Sequence, residues 1–421
     1  MDLPTAIVMM NSTVSLDGRS DAALAAEVDR AARADHPGSP VKGVVTPAAG
    51  LGGAIRVRPV DAMLRLSRLT APLIPSDVTS QYEHWGRLRY LGVFDRGSAG
   101  ELRLGTAGRQ VRGNQRRVMS EELGVGFGAL LAEHWCRAQG FTGAIRFADV
   151  DQVLQGAYPG IYARMVAGRQ PDYLIQLPSP RQPRRVSHRL LECKGTTSSR
   201  YAVNQLARAV TQLASLSVNG TTPTGIAVST VSAGDSVRYL AVDPGDDEVG
   251  WMTDRFGVAR GRSEKRSAQM LGDVLHADAD DFFSSVTAVA MGSLADYAGS
   301  AAAVDWLPTR VSERLGRRAV RGRVEENELG VFEGQELFFP APGSRGLLRI
   351  FQGVDKGVLD GIRHHDIAEV EESQVRVTTM LPEYSGGRFA DSQDIERATS
   401  AVSPEGAMLS LTLVNGRTAG L

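Results

Sequence analysis

The residues best suited to chemistry lie in two short stretches twenty positions apart. Pro171-Asp172 opens an apolar run at 172–177, and Glu192-Cys193-Lys194 sits inside a second at 187–196. Side chains on a strand alternate between faces, so Glu192 and Lys194 share one face while Cys193 points into the opposite, apolar layer. If the two strands pair as a hairpin, Asp172 lies beside Glu192. Two carboxylates and an ammonium on one sheet edge suit hydrolysis of a phosphodiester. Hard oxygen ligands bind Mg²⁺, which neutralises phosphate and lowers the pKa of an attacking water. The ammonium orients that water and stabilises charge developing in the transition state. Only four of the 47 basic residues are lysines (Lys42, Lys194, Lys265 and Lys356), so Lys194 is a rare choice in a chain that otherwise uses arginine.

Such a pair needs elements to hold it, and the sequence from 118 to 245 supplies them. Leu123, Phe127, Leu130, Leu131 and Trp135 recur with a helical period over 119–139, with Ser120 as a cap and Gly140 as a stop. Strands are expected at 144–150, 172–177 and 187–196, and the turn between the last two is rich in Pro and Arg. A second helix at 200–217 carries Val203, Leu206, Val210 and Leu213 on one stripe, and strands follow at 224–231 and 237–242. Gly124, Gly126 and Gly128 lie within the first helix with no strand before them, which points to close helix packing rather than a phosphate loop.

Pro171-Asp172 followed by Glu192-Cys193-Lys194, in an α-β-β-β-α-β order, resembles the PD-(D/E)XK nuclease superfamily over roughly residues 118–245. The resemblance implies an α/β fold with a restriction-endonuclease-like core and a mixed sheet. It implies that Asp172 and Glu192 hold Mg²⁺, with Mn²⁺ as a substitute, helped by the main-chain carbonyl of Cys193. Lys194 would sit near the nucleophilic water. A glutamate on the first core helix, which falls on Glu121 or Glu122, would join the metal. Gln205 fits the glutamine that recurs on the helix after the lysine, with Gln212 two turns on.

The remaining 1–117 read as an N-terminal α+β accessory region, with a helix at 20–34 and short β-runs at 43–46 and 54–60. Residues 246–421 read as an acidic, helical-then-β domain, with helices at 263–276, 280–297 and 305–318. Residues 1–245 carry 28 basic and 20 acidic residues, against 19 and 28 in 246–421. The contrast is either that of two ordinary solvated surfaces or that of a basic half which meets a polyanion. On the second reading Arg112, Arg116 and Arg117 of the 103–117 connector, and Arg181, Arg184, Arg185 and Arg189 of the turn, grip DNA phosphates. The apolar face of the 280–297 helix (Phe282, Phe283, Val286, Val289, Leu294) is buried either in its own domain or in a homodimer interface. His364-His365-Asp366 lacks further His or Cys nearby and reads as a loop or helix surface.

No run of about 18 apolar residues marks a membrane span, and the N terminus has no basic residue before its short apolar run, unlike a signal peptide. Two cysteines cannot build a disulfide framework, so a cytoplasmic protein is expected. Serine-hydrolase, zincin and P-loop motifs are absent. The expectation is a Mg²⁺-dependent DNA endonuclease of prokaryotic restriction or antiviral defence, alone or with a defence-system partner. The alternatives are a repair or recombination nuclease, an RNase, or a non-catalytic nucleic-acid-binding scaffold.

Overall fold

The computed structural model describes residues 1–35, 38–70, 88–156, 158, 161–178, 186–245, 279–306, 322–341, 346–383 and 395–415. The chain begins with helix α1 (Leu3–Asn11), capped where the Asp2 carboxylate accepts the Thr5 N–H at 2.9 Å. The apolar run near the N terminus is this helix, and it buries Ala6, Ile7, Met9 and Met10. Next come β1 (Val14–Arg19), α2 (Ala22–Asp35), β2 (Thr46–Pro47), β3 (Ile55–Val57) and α3 (Pro59–Leu69). They are followed by β4 (Phe94–Arg96), β5 (Leu102–Leu104), α4 (Thr106–Gln110) and α5 (Gly113–Ala138). The arginine-dense stretch is therefore no simple connector, since it supplies β5, α4 and the start of α5.

After α5 come β6 (Arg146–Asp149), α6 (Val150–Leu154), β7 (Ala163–Met165), β8 (Tyr173–Pro178) and β9 (Val186–Thr196). Then α7 (Ser199–Leu213), β10 (Leu216–Val218), β11 (Gly225–Ala233) and β12 (Ser236–Asp243) complete this half. Helix α7 ends earlier than its stripe predicted, because the chain turns at Ala214 to pair β10 with β7.

The main sheet is mixed and runs in the order β3-β1-β12-β11-β9-β8-β6, with β2, β4 and β5 attached beside β12. Strands β8 and β9 are antiparallel, while β9 and β11 run parallel. Strands from before residue 118 thus extend the sheet formed after it. One face carries Leu191, Cys193, Ile175 and Val228, packed with Phe127, Leu131 and Trp135 of α5. The other carries Leu174, Leu190 and Ala227, packed with Leu206, Val210 and Leu213 of α7. The sheet is the middle of three layers.

Glycines let α5 lie against β9 at main-chain contact. A Cβ on Gly124 would stand 2.8 Å from the Gly195 nitrogen, one on Gly128 2.5 Å from Cys193 Sγ, and one on Gly195 1.8 Å from the Ser120 carbonyl oxygen. The packing role read for these helix glycines is what the structure shows.

The C-terminal region contains α8 (Ala279–Tyr297), α9 (Ala303–Trp306), β13 (Arg323–Asn327), β14 (Gly330–Pro340) and β15 (Gly346–Asp355). Helices α10 (Lys356–Arg363) and α11 (Ile367–Met380) and strands β16 (Ile395–Val402) and β17 (Ala407–Asn415) complete it. Its strands form a separate antiparallel sheet in the order β13-β14-β15-β17-β16. Val289, Met291 and Leu294 of α8 are buried within the chain. The helix expected at 263–276, most of that at 305–318, and the side chains of Phe282, Phe283 and Val286 lie outside the described residues. His365 stacks on Trp306 and Asp366 caps α11, so this trio is structural. The two halves are fastened together by Arg68–Glu405 at 2.7 Å, Arg58 to the Ser400 carbonyl at 3.0 Å, and Arg146 to Gln374 at 3.0 Å.

The glycine contact gives a direct test. Gly195→Ala is expected to lower unfolding stability by about 1–3 kcal/mol or more, because backbone rather than a flexible side chain must move. Gly53→Ala, whose Cβ would meet nothing within 4 Å, should stay within about 0.5 kcal/mol. Urea unfolding of both variants reads the difference, and equal stabilities would contradict main-chain contact between α5 and β9.

Candidate active site

Antiparallel register pairs Tyr173 with Leu191, which brings Asp172, one residue earlier, opposite Glu192. The two residues are cross-linked through main chain and side chain. The Asp172 N–H donates to Glu192 Oε2 at 2.8 Å, and the Cys193 N–H donates to Asp172 Oδ2 at 2.8 Å. The Asp172 carbonyl accepts from the Val150 N–H at 3.1 Å. Lys194 Nζ pairs with the remaining oxygen of Glu192, Oε1. The Glu192 side chain is 0% exposed, whereas that of Lys194 keeps 22% of its surface in solvent. The Glu192 carboxylate is therefore interior and that of Asp172 partly buried, both held by main-chain donors, and the ammonium reaches the outside.

Electrostatics at the pair are unfavourable in the protein alone. Burial pushes the Glu192 carboxyl up to about 8, and the neighbouring Asp172 adds to the rise while Lys194 opposes it. The Asp172 carboxyl is also raised, first by burial, and the nearby Asp149 contributes in the same direction. One lysine does not balance two carboxylates. A divalent cation would, and Mg²⁺ is commonly held by one or two carboxylates with water completing its shell. The donors present, two carboxylates and a main-chain carbonyl, are all oxygen, the kind that ion takes; among the described residues no group of three or more His, Cys, Asp and Glu side chains that could hold a metal is assembled. The Cys193 thiol faces α5 and burial holds its pKa well above the ordinary value, so only the main-chain carbonyl of Cys193 is a suitable donor.

The structure does not bring Glu122 to this pair. Helix α5 packs on the Cys193 face of β9, and Glu122 is engaged by Arg89 at 3.1 Å and by the Tyr90 hydroxyl. Glu121 is exposed near Arg117, at 3.9 Å. Gln205 lies on α7, the helix covering the face that carries Glu192 and Lys194, and its Oε1 is buried with no hydrogen-bond partner among the described residues. Gln212 donates from Nε2 to the Gln170 carbonyl at 2.8 Å, two residues before Asp172, and the Gln170 amide reaches Asp151.

Asp149 and Gln170 escaped the sequence reading. Asp149 resembled the polar end of a strand, and it caps α6 through the Asp151 and Gln152 N–H groups. Nothing in the pattern around Gln170 marks it. Arg116 is held by the Gly108 and Ser232 carbonyls at 2.7 Å each, and Arg112 by the Arg109 carbonyl. Arg189 pairs in register with Ile175, which puts it on the α5 side, away from Glu192. Arg181, Arg184 and Arg185 lie outside the described residues.

The raised Glu192 pKa fixes the sign of a pH effect. The folded state holds this proton more tightly than the unfolded chain, whose glutamate titrates near 4.5. Glu192 therefore contributes a fall in stability as pH rises from about 4.5 to about 8, at up to ~1.4 kcal/mol per pH unit. Thermal unfolding in EDTA should show this decline in the wild type and a flatter profile in Glu192→Gln. Mg²⁺ should raise Tm more at pH 8 than at pH 5, because binding requires the ionised pair. Equal Mg²⁺ effects at both pH values would contradict metal binding here.

No protein-family model matches the chain, and no curated protein or solved structure matches it either.

Proposed function

We propose that the protein is a metal-dependent nuclease that hydrolyses phosphodiester bonds of DNA, with a restriction-endonuclease-like core over residues 118–245. One observation carries the reading: Asp172 and the buried Glu192 are locked side by side by main-chain hydrogen bonds, with Lys194 as their only ammonium among the described residues. A structural ion pair needs one carboxylate for one lysine, whereas two carboxylates facing each other call for more positive charge. The element order and the mixed sheet, with β9 between antiparallel β8 and parallel β11, are also in keeping with the proposed core.

Asp172 and Glu192 would hold Mg²⁺ or Mn²⁺, which supplies charge neutralisation at phosphate and a water acidified for attack. The main-chain donors from Asp172 and Cys193 keep the carboxylates fixed, so no reorganisation is needed as charge develops. Lys194, partly in solvent, presents N–H groups to the attacking water and to the phosphate oxygens. The buried Gln205 Oε1 is an acceptor for that water's hydrogen. Attack at phosphorus forms the new P–O bond as the water gives up a proton to solvent, and breaks the bond to the leaving deoxyribose oxygen, which takes up a proton from solvent. The extra strands before 118 and the second sheet are suited to the target recognition of a restriction or antiviral-defence enzyme.

Incubation with closed-circular plasmid and with linear DNA, with and without Mg²⁺ or Mn²⁺, tests the proposal. The wild type should cleave only with metal. Asp172→Asn, Glu192→Gln and Lys194→Ala should each lose about two to three orders of magnitude in rate. Lys194→Arg should fail as well, since a planar fork replaces a compact charge. Full activity in these variants, at matched thermal stability, would remove the site assignment.

A further inference from the structure

Many described arginines have a carboxylate partner, as in Arg19–Asp21, Arg65–Glu133, Arg68–Glu405 and Arg376–Asp355. Three that do not have one converge on a single pocket of about 530 Å³, where Arg109, Arg112 and Arg116 face Thr197 and the Gly234–Asp235 turn. The one carboxylate there, Asp235, is engaged by Arg103 at 3.3 Å. The guanidiniums have neutral partners instead: Arg109 the Thr106 hydroxyl at 3.4 Å, Arg112 the Arg109 carbonyl, and Arg116 the carbonyls of Gly108 and Ser232. These tethers fix the groups in place and leave their charge uncompensated.

We propose that this pocket binds a phosphate group of a nucleic-acid strand, anchoring it at the end of the strand that carries Glu192 and Lys194; the proposal rests on the nuclease reading. Thr197 lies three residues beyond Lys194, so its Cα is at most about 11 Å away along the chain. A strand phosphate held here is close enough for a neighbouring phosphodiester to reach Lys194. The pocket also contains Gly113, the first residue of the 26-residue helix α5, whose N-terminus has no side-chain cap. Its main-chain N–H groups add partial positive charge to the arginines. Burial and then the like charge of Arg112 lower the Arg116 pKa from its ordinary value, as expected of crowded cations awaiting an anion. Among the described residues the lining holds no aromatic side chain on which a base could stack, and clustered guanidiniums suit a phosphate. Arg117, exposed and next to Glu121, is not part of it.

The test is binding of a labelled oligonucleotide, single-stranded and duplex, by the full chain in EDTA across a salt series. Arg109→Ala/Arg112→Ala should weaken binding by about tenfold or more and lower the slope of log affinity against log salt by about 0.7 per lost contact on single strands, or 0.9 on duplex. Arg116 is left in place because it ties α4 to β11. Arg109→Lys/Arg112→Lys should retain the slope, and Arg33→Ala, at an exposed arginine paired with Asp29, should retain the affinity. An unchanged slope in the double alanine variant at matched Tm would overturn the proposal, and so would an equal loss in Arg33→Ala. Stabilisation of the wild type by pyrophosphate through these arginines, with no oligonucleotide binding, would also overturn it in favour of a small phosphate ligand. Arginine-dependent binding with no cleavage under any metal would support the pocket while removing the nuclease reading. Cleavage with arginine-independent binding would do the reverse.

Discussion

Strand β9 is pinned by contact with helix α5 at the level of the main chain, and the geometry of the carboxylate site follows from that contact. Gly124 and Gly128 on the helix and Gly195 on the strand remove the side chains that would keep the two backbones apart. Cys193 is left facing the helix. Alternation along the strand then sends Glu192 and Lys194 to the other side, toward α7. Register with β8 places Asp172 against Glu192, and the two N–H bonds fix the carboxylates. A shift of β9 by one residue would exchange the cysteine for the charged pair and bury both charges under α5.

The fold therefore maintains an arrangement that is costly in the protein alone. Interior carboxylates are stabilised by hydrogen bonds or by cations, and here the hydrogen bonds come from only two main-chain donors while a single lysine serves both acids. A structure shaped for stability alone would place an apolar residue at Glu192, between Leu191 and Cys193 on a strand otherwise suited to a core. Departures from local consistency of this kind mark functional positions. The arginine pocket at the end of the same sheet shows the complementary imbalance, three guanidiniums without a carboxylate partner among the described residues.

Much of this centre was legible in the sequence because it rests on short-range rules. Period-two alternation gave the shared face of Glu192 and Lys194, and the Pro-Asp start of the preceding strand gave the partner carboxylate. The glycines within α5 announced close packing. Other features were hidden because they depend on distant contacts. Strands β1 to β5 are too short to show periodicity, and only pairing with β12 and with one another brings them into the sheet. Helix α5 begins at Gly113, inside a run whose glycine and arginines resembled a loop. Helices α10 and α11 bury narrow stripes, Val358, Leu359 and Ile362 in one and Val370 and Val377 in the other, too thin to separate from the β-runs around them. Glu122 was a candidate ligand by position along its helix, but its partners Arg89 and Tyr90 come from a segment more than thirty residues earlier.

The central claim is that Asp172 and Glu192 together hold a divalent cation. Anomalous diffraction from crystals of the full chain grown with Mn²⁺ and without DNA tests it most directly. The account predicts a peak within about 2.0–2.6 Å of an oxygen from each of the two carboxylates, the range of hard-cation coordination, with Lys194 moved off Glu192 Oε1. A fully ordered site with no peak at neutral or higher pH, and Lys194 still paired with Glu192, would contradict it.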